Sequence, residues 1–426
     1  MALHPPEPAP EDATDALVDG DRVFARGTAQ AALSHRTFRI VWGGTFASNI
    51  GSWMQNVLLG AYALRLTHSA TYVGLLFFAQ LGPLLFLSNV GGVLADLFDR
   101  RVLLLWAQAQ QLVFSVVLAV VATSDHPSRV VLFVCVLLIG IGNALGAPAL
   151  SAILPTLVPK ADLPGAVSLQ SVQMNLSRVI GPAIGAALYT TVGVAPVFGL
   201  NAATYLFAIV ALVSVDYPRR PPTRTDVSLR ARLGEGFAIV RRDPLVRRLM
   251  ITLFSMSFFS LAFVGLMPVI AKVNLGIPPK SIDYGVLYGA FGLGAAFGAV
   301  SVGTWFAQIS KARLVRPGML AFAGLLAAFA LVRTPWAGFV LAPILGYAYF
   351  LVITSMSTVL QSHIDDAVRG RVIALWIMGF GGTVPLGVLA GGLLEEVTSI
   401  TFVLLVGAVA AVVLAAYADL ESVAAD

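Results

Sequence analysis

Twelve apolar runs, each long enough to cross a bilayer as a helix, constrain this chain more than any other feature of it. A spanning helix needs about 20 apolar residues. Such runs are centred near residues 50, 83, 112, 142, 178, 204, 260, 295, 325, 347, 382 and 408, with short polar breaks between them. Lipid offers the backbone no hydrogen-bond partner, so a segment of this length satisfies its own N–H and C=O groups only as a helix. Composition points the same way, because 58% of the residues are hydrophobic and 12% charged, against about 25% charged in soluble domains. The expected fold class is all-α integral membrane, with twelve transmembrane helices.

Residues 1–36 are polar and rich in proline and acid, with no apolar core of a cleavable signal peptide. They read as a disordered cytoplasmic tail. The single cysteine, Cys135, lies inside an apolar run, which leaves no intrachain disulfide or cysteine-based metal site. With both ends placed in the cytoplasm, 21 Lys and Arg fall on inside segments and five outside, the latter being Arg65, Arg129, Lys272, Lys280 and Arg333. That asymmetry is the positive-inside pattern of a multi-pass protein of the cell inner membrane. The basic balance is therefore a topology signal, and nucleic acid is not an expected partner.

The longest internal polar segment, 216–248, is a cytoplasmic linker between a six-helix block at 37–215 and another at 249–420. Its second half could be an amphipathic helix on the membrane surface; a solvated linker retained inside by its arginines is the simpler reading. The blocks echo each other, since "NLSRVIGPAIGAAL" (175–188) and "MGFGGTVPLGVLAGGL" (378–393) place Pro182 and Pro385 among small residues in corresponding positions. Parallel half-repeats of this kind build transporters with a cavity between the halves.

The turn after span 2, "GGVLADLFDRR" (91–101), resembles the signature of the major facilitator superfamily at that place. Gly92, Leu94, Ala95, Asp96, Arg100 and Arg101 match it, while Leu97 and Asp99 replace an arginine and a glycine of the pattern. The resemblance implies a conformational switch: Asp96 meets span 11 of the other half when the cytoplasmic side is shut, with Arg369 and Arg371 as partners. Gly91 and Gly92 would let span 2 approach a neighbour closely. In span 5, "GPAIGA" (181–186) is similar to the superfamily's exporter signature, with Gly181, Pro182 and Gly185 as packing positions and Ser168, Ser177 and Ala186 as departures. With "GSWMQ" (51–55), "ALRLTHSA" (63–70) and "VRRDPLVRRL" (240–249), the chain resembles the branch that holds enterobactin-type siderophore exporters and macrolide efflux proteins.

No acid falls mid-span, and Leu138 stands where the span 4 motif of the superfamily would have an arginine. A buried carboxylate is the usual proton carrier, so proton coupling is an expectation from the resemblance alone. The one charge inside the spans is Arg178; it either serves a site, snorkels, or satisfies carbonyls freed at Pro182. Polar and aromatic residues that lipid disfavours mark a candidate cavity lining: Asn49, Trp53 and Asn56 on one stripe of span 1, Gln170 and Gln173 on span 5, Asn143 on span 4, Tyr284 and Tyr288 on span 8, Tyr347 on span 10 and Trp376 on span 11. Each taken alone reads as an interhelical hydrogen bond. No phosphate loop is present and the five histidines show no metal spacing, so neither an enzyme, a cofactor nor a metal is expected. The expected function is secondary active export of a neutral or anionic organic solute by a monomer using alternating access. Broad-specificity drug efflux and a non-transporting sensor or scaffold are the alternatives.

Overall fold

The computed structural model of the protein describes residues 24–153, 156–215 and 237–420, except for a few side chains near the ends of spans 2 and 11, that of Asp96 among them. The sequence-placed runs all appear as helices centred within about one turn of expectation. In the first half they are Arg36–Thr67, Ala70–Leu97, Arg100–Val121, Arg129–Ile153, Leu163–Val192 and Val194–Val213, numbered spans 1 to 6. In the second they are Pro244–Val273, Ile282–Gly303, Lys311–Leu331, Pro335–His363, Asp366–Val397 and Ile400–Tyr417, spans 7 to 12. An even number of spans puts the start of span 1 and the end of span 12 on one side, called the tail side below. Ten of the twelve are apolar enough to cross a membrane by composition; spans 1 and 5 are long enough but more polar.

Local sequence explains the breaks. Serine hydroxyls accept from the first free backbone N–H groups of spans 2, 8 and 12, as Ser69 does from Tyr72, Ser281 from Tyr284 and Ser399 from Phe402. Gly193 alone joins spans 5 and 6, at φ +85°, a backbone conformation that a side chain would strain. Span 7 is interrupted by a π turn at Met256–Ser260 and again before Met267, and Ser260 Oγ donates to the Gly407 carbonyl of span 12 at 2.8 Å. Residues 216–236 of the linker lie outside the described residues; 237–242 form a helical turn leading into span 7.

The two halves repeat one packing scheme. Span 1 rests on spans 5 and 6, and span 3 on spans 4 and 6; in the second half span 7 rests on 11 and 12, and span 9 on 10 and 12. Small residues set the closest approaches. A Cβ on Gly181 would lie 2.8 Å from the Ile50 carbonyl, and one on Gly387 2.1 Å from that of Phe258, so the helices carrying Pro182 and Pro385 pack alike on spans 1 and 7.

One correction concerns the tail. Residues 24–35, expected to be disordered, are folded against the first half. Thr28 caps a short helix at Ala29–Ser34, while the buried Asp162 accepts from Gly27 N–H at 3.2 Å and pairs with His35 Nε2 at 2.8 Å. A buried carboxylate between spans 4 and 5 needs such partners, and the tail supplies them.

Candidate functional site

Between the halves lies a cavity of about 360 Å³, within the range of small-molecule sites. Among the described lining residues, its first-half wall carries every carboxamide: Asn49 and Asn56 of span 1, Gln80 of span 2, Gln111 of span 3 and Asn143 of span 4. Side-chain bonds hold part of this wall, because Gln80 donates to Asn56 and Ser52 bonds the Tyr205 hydroxyl at 3.3 Å. The second-half wall is aromatic, with Tyr284, Tyr288 and Phe291 from span 8, Tyr349 and Phe350 from span 10 and Phe380 from span 11. The Tyr349 ring lies near-parallel to that of Phe291, at 15° and 6.2 Å between centroids, and to that of Phe380, at 16° and 6.5 Å.

Arg178 stands where the walls meet and is the one charged residue of the lining among the described residues. Its guanidinium carbon lies 5.1 Å from the ring of Trp53 and 5.1 Å from that of Phe350. Its Nε is buried without a hydrogen-bond partner. The backbone beside it is at the seam too, since a Cβ on Gly292 of span 8 would lie 3.3 Å from the Arg178 carbonyl.

Away from the tail side the halves are in close contact. A Cβ on Gly74 of span 2 would sit 2.9 Å from the backbone of Leu389 in span 11, and one on Gly285 of span 8 would sit 2.1 Å from Ala186 of span 5. Ser69 donates to Glu396 across the same seam, and Lys272 approaches His68 Nδ1 at 3.3 Å.

Of the residues expected in a cavity, Asn49, Trp53, Asn56, Asn143, Arg178, Tyr284 and Tyr288 line it. Gln170, Gln173, Tyr347 and Trp376 do not. Gln173 instead donates to Thr45 Oγ1 of span 1 at 3.2 Å, and Trp376 is buried in an apolar core shared by both halves. Tyr347 packs its backbone on Gly298 of span 8, and Tyr349, two residues or about 200° further round the helix, takes the cavity face. Gln80, Gln111 and Tyr349 were overlooked although polar atoms in apolar runs announce them. Phe350 and Phe380 carry no sequence signal, because phenylalanine is equally at home against lipid.

The turn after span 2 has a visible structural role. Asp99 caps span 3 by accepting from Arg101 N–H at 2.8 Å. Arg100 donates to the carbonyls of Ala95 and Ala152, each at 3.2 Å, and Arg101 to Val213 at 2.9 Å, so the two arginines satisfy carbonyls at the ends of spans 2, 4 and 6. Gly91 does face a neighbour, since a Cβ on it would lie 3.0 Å from the Ala144 carbonyl, but Gly92 faces open space, which corrects the expectation for that glycine. Arg369 and Arg371 are exposed at the start of span 11, and the expected partner side chain, Asp96, lies outside the described residues.

Fold and cavity together define a multi-pass membrane transporter built from two six-helix halves. Over residues 27–424 the chain matches a family described as transmembrane secretion effector. It is 30% identical over 349 residues to the enterobactin exporter EntS of Escherichia coli, covering 80% of this chain and 81% of that one. With EntS of Shigella boydii it shares 28% over 356 residues, at the same coverage. Its fold resembles that of a bacterial homologue of the human lysosomal transporter Spinster, solved inward-facing and unoccupied, with a TM-score of 0.71 at 15% identity over 91% of this chain and 96% of that one. The nucleoside transporter NupG gives 0.69 at 15% identity, covering 91% and 99%. The chain belongs to the major facilitator superfamily, in the branch of EntS, and is a transporter, not an enzyme.

Proposed function

We propose that the protein is a secondary active transporter that exports a neutral or anionic organic solute, siderophore-like or another natural product, by alternating access. The observation that carries the reading is the lining of the cavity: one cation, Arg178, five carboxamides and no carboxylate among the described residues. A site for cations would offer a carboxylate, because an unpaired desolvated charge is costly. Export as the direction rests on the relatives, which are named as enterobactin exporters. The skew of basic residues supports a bacterial inner-membrane location with both termini cytoplasmic. Asp96 is proposed to latch onto Arg369 and Arg371 when that side closes, and protons are the proposed coupling ion. A monomer suffices, since the cavity is complete within one chain.

A scaffold without transport would be free to fill this space with apolar side chains, and the amide wall speaks against that. The aromatic wall supports the second reading, broad-specificity drug efflux, since flat rings accept many solutes. Accumulation assays in cells lacking their own efflux pumps separate the readings, with ethidium as the cation and carboxyfluorescein as the anion. The expected result is lowered carboxyfluorescein accumulation that Arg178→Ala abolishes. Strong ethidium efflux that Arg178→Ala leaves unchanged would overturn the assignment.

A further inference from the structure

The position of Arg178 goes beyond a charge in a pocket. Its guanidinium is supported by two aromatic rings from different halves: Trp53 belongs to span 1 of the first, Phe350 to span 10 of the second, and both lie 5.1 Å away. Arginine stacks on such ring faces and still offers its N–H groups at the edge of the guanidinium plane. Among the described residues no carboxylate lines the cavity to take them, and Nε is buried without a partner. A half-buried guanidinium oriented by two rings, with no acid beside it among the described residues, can meet an arriving anion with charge-assisted hydrogen bonds.

We propose that Trp53, Arg178 and Phe350 form one anion subsite assembled from both halves, in which Phe350 is a positioning residue that makes affinity for an anionic group depend on how the halves are placed. The inference rests on the reading of the cavity as the cargo site. Phe350 is carried by a different rigid block from Arg178, so a movement of one half relative to the other removes one of the two rings. An anion that binds the complete subsite more tightly than the broken one shifts the protein toward the complete arrangement, by as much as that difference in affinity and no more. Recognition of charge and placement of the halves are thus read by the same guanidinium.

The test uses the full chain purified in detergent and two fragments of one shape, benzoate and its neutral analogue benzamide, with binding followed by thermal shift. The wild type is expected to prefer benzoate at least tenfold and Arg178→Gln to lose the preference. Phe350→Leu, which keeps an apolar side chain but removes the ring, is expected to lower the preference about fivefold, and Phe350→Trp to restore it. A second readout uses spin labels at Ser124→Cys and Thr334→Cys, exposed positions in the two halves, with Cys135→Ser. Benzoate, and not benzamide, should narrow the distance distribution, and Phe350→Leu should remove that response. If Phe350→Leu keeps the full preference while Arg178→Gln loses it, the arginine binds anions unaided and the two-half subsite is overturned, with the proposed function intact. If the wild type shows no benzoate preference, or binds neither fragment, the anionic reading of the cavity falls with it.

Discussion

The two halves use opposite polarities for the same fastening. Ahead of span 1, His35 pairs with Asp162 of the turn between spans 4 and 5; ahead of span 7, Asp243 pairs with His363 at the end of span 10, and both distances are 2.8 Å. The repeat therefore keeps the geometry of the clasp and exchanges acid for base. Interiors differ more. The first half is threaded by side-chain hydrogen bonds, with Gln55 accepting from Asn201 at 2.7 Å and from Ser115 at 3.4 Å, and Ser48 reaching Gln108 at 3.4 Å. In the second half, spans 8 and 10 are joined by backbone proximity: a Cβ on Gly294 would stand 1.8 Å from the Pro343 carbonyl and one on Gly346 2.2 Å from that of Phe291. One backbone plan thus yields an amide-bearing wall and an aromatic wall, because the twofold repeat constrains helix packing and leaves cavity-facing side chains free to diverge.

The contrast breaks most sharply at the glycines. Gly294→Val puts a branched side chain into a backbone carbonyl that cannot swing away, and the expected outcome is a loss of well-folded protein, read as at least a tenfold drop in monodisperse yield. The first-half comparison is Gly146→Ala, whose Cβ would meet the side chains of Ala107 at 2.9 Å and Leu104 at 3.6 Å. Those atoms can move by a few tenths of an ångström, so yield should hold and the melting temperature fall only slightly. Equal losses in both variants would remove the distinction between a contact limited by backbone and one limited by side chains, since the first half holds both kinds, as at Gly181 and Gly146.

A smaller effect probes the polar thread. Gln55→Leu leaves the Asn201 amide without its acceptor, and an interhelical polar bond in a membrane is worth about 0.6 to 1.7 kcal/mol. A destabilisation of that size in thermal or denaturant unfolding is expected. An unchanged melting curve for Gln55→Leu would reduce the thread to coincidence.

The clasps come last. The Asp162 side chain is 2% exposed and that of Asp243 31%, so Asp162→Asn should loosen its clasp more than Asp243→Asn, read as faster amide exchange at residues 27–35 than at the start of span 7. Burial pushes the Asp243 carboxyl up, but the Val246 N–H and His363 together outweigh it and hold it below its ordinary value of 3.8. A lowered carboxylate stabilises the fold fully above that ordinary value and ceases to do so as pH falls through the lowered one. The span 7 clasp should therefore persist at mildly acidic pH and open only in stronger acid; opening already near neutral pH would contradict the pairing.

Sequence alone determined the number and placement of the spans, because runs of about 20 apolar residues have one stable backbone solution in lipid. It determined that Arg178 is the charge inside them, and that the halves repeat around Pro182 and Pro385. Facing was another matter. It put Asn49, Trp53 and Asn56 on the cavity stripe, yet it also placed Tyr347 and Gln173 there, whereas Tyr349 and Gln111 line the cavity. In a soluble helix the polar stripe marks the solvent side, whereas in a membrane both the lipid-facing and the partner-facing sides are apolar, so periodicity says little about direction. Only the tertiary structure decided that Phe350 shares a guanidinium with Trp53 across the seam, that Asp162 draws the tail onto the bundle, and that the cavity amides gather on the first-half wall while most of its aromatic rings stand on the other. The first two depend on pairs more than a hundred residues apart, and all three on helix packing that no local run of sequence encodes.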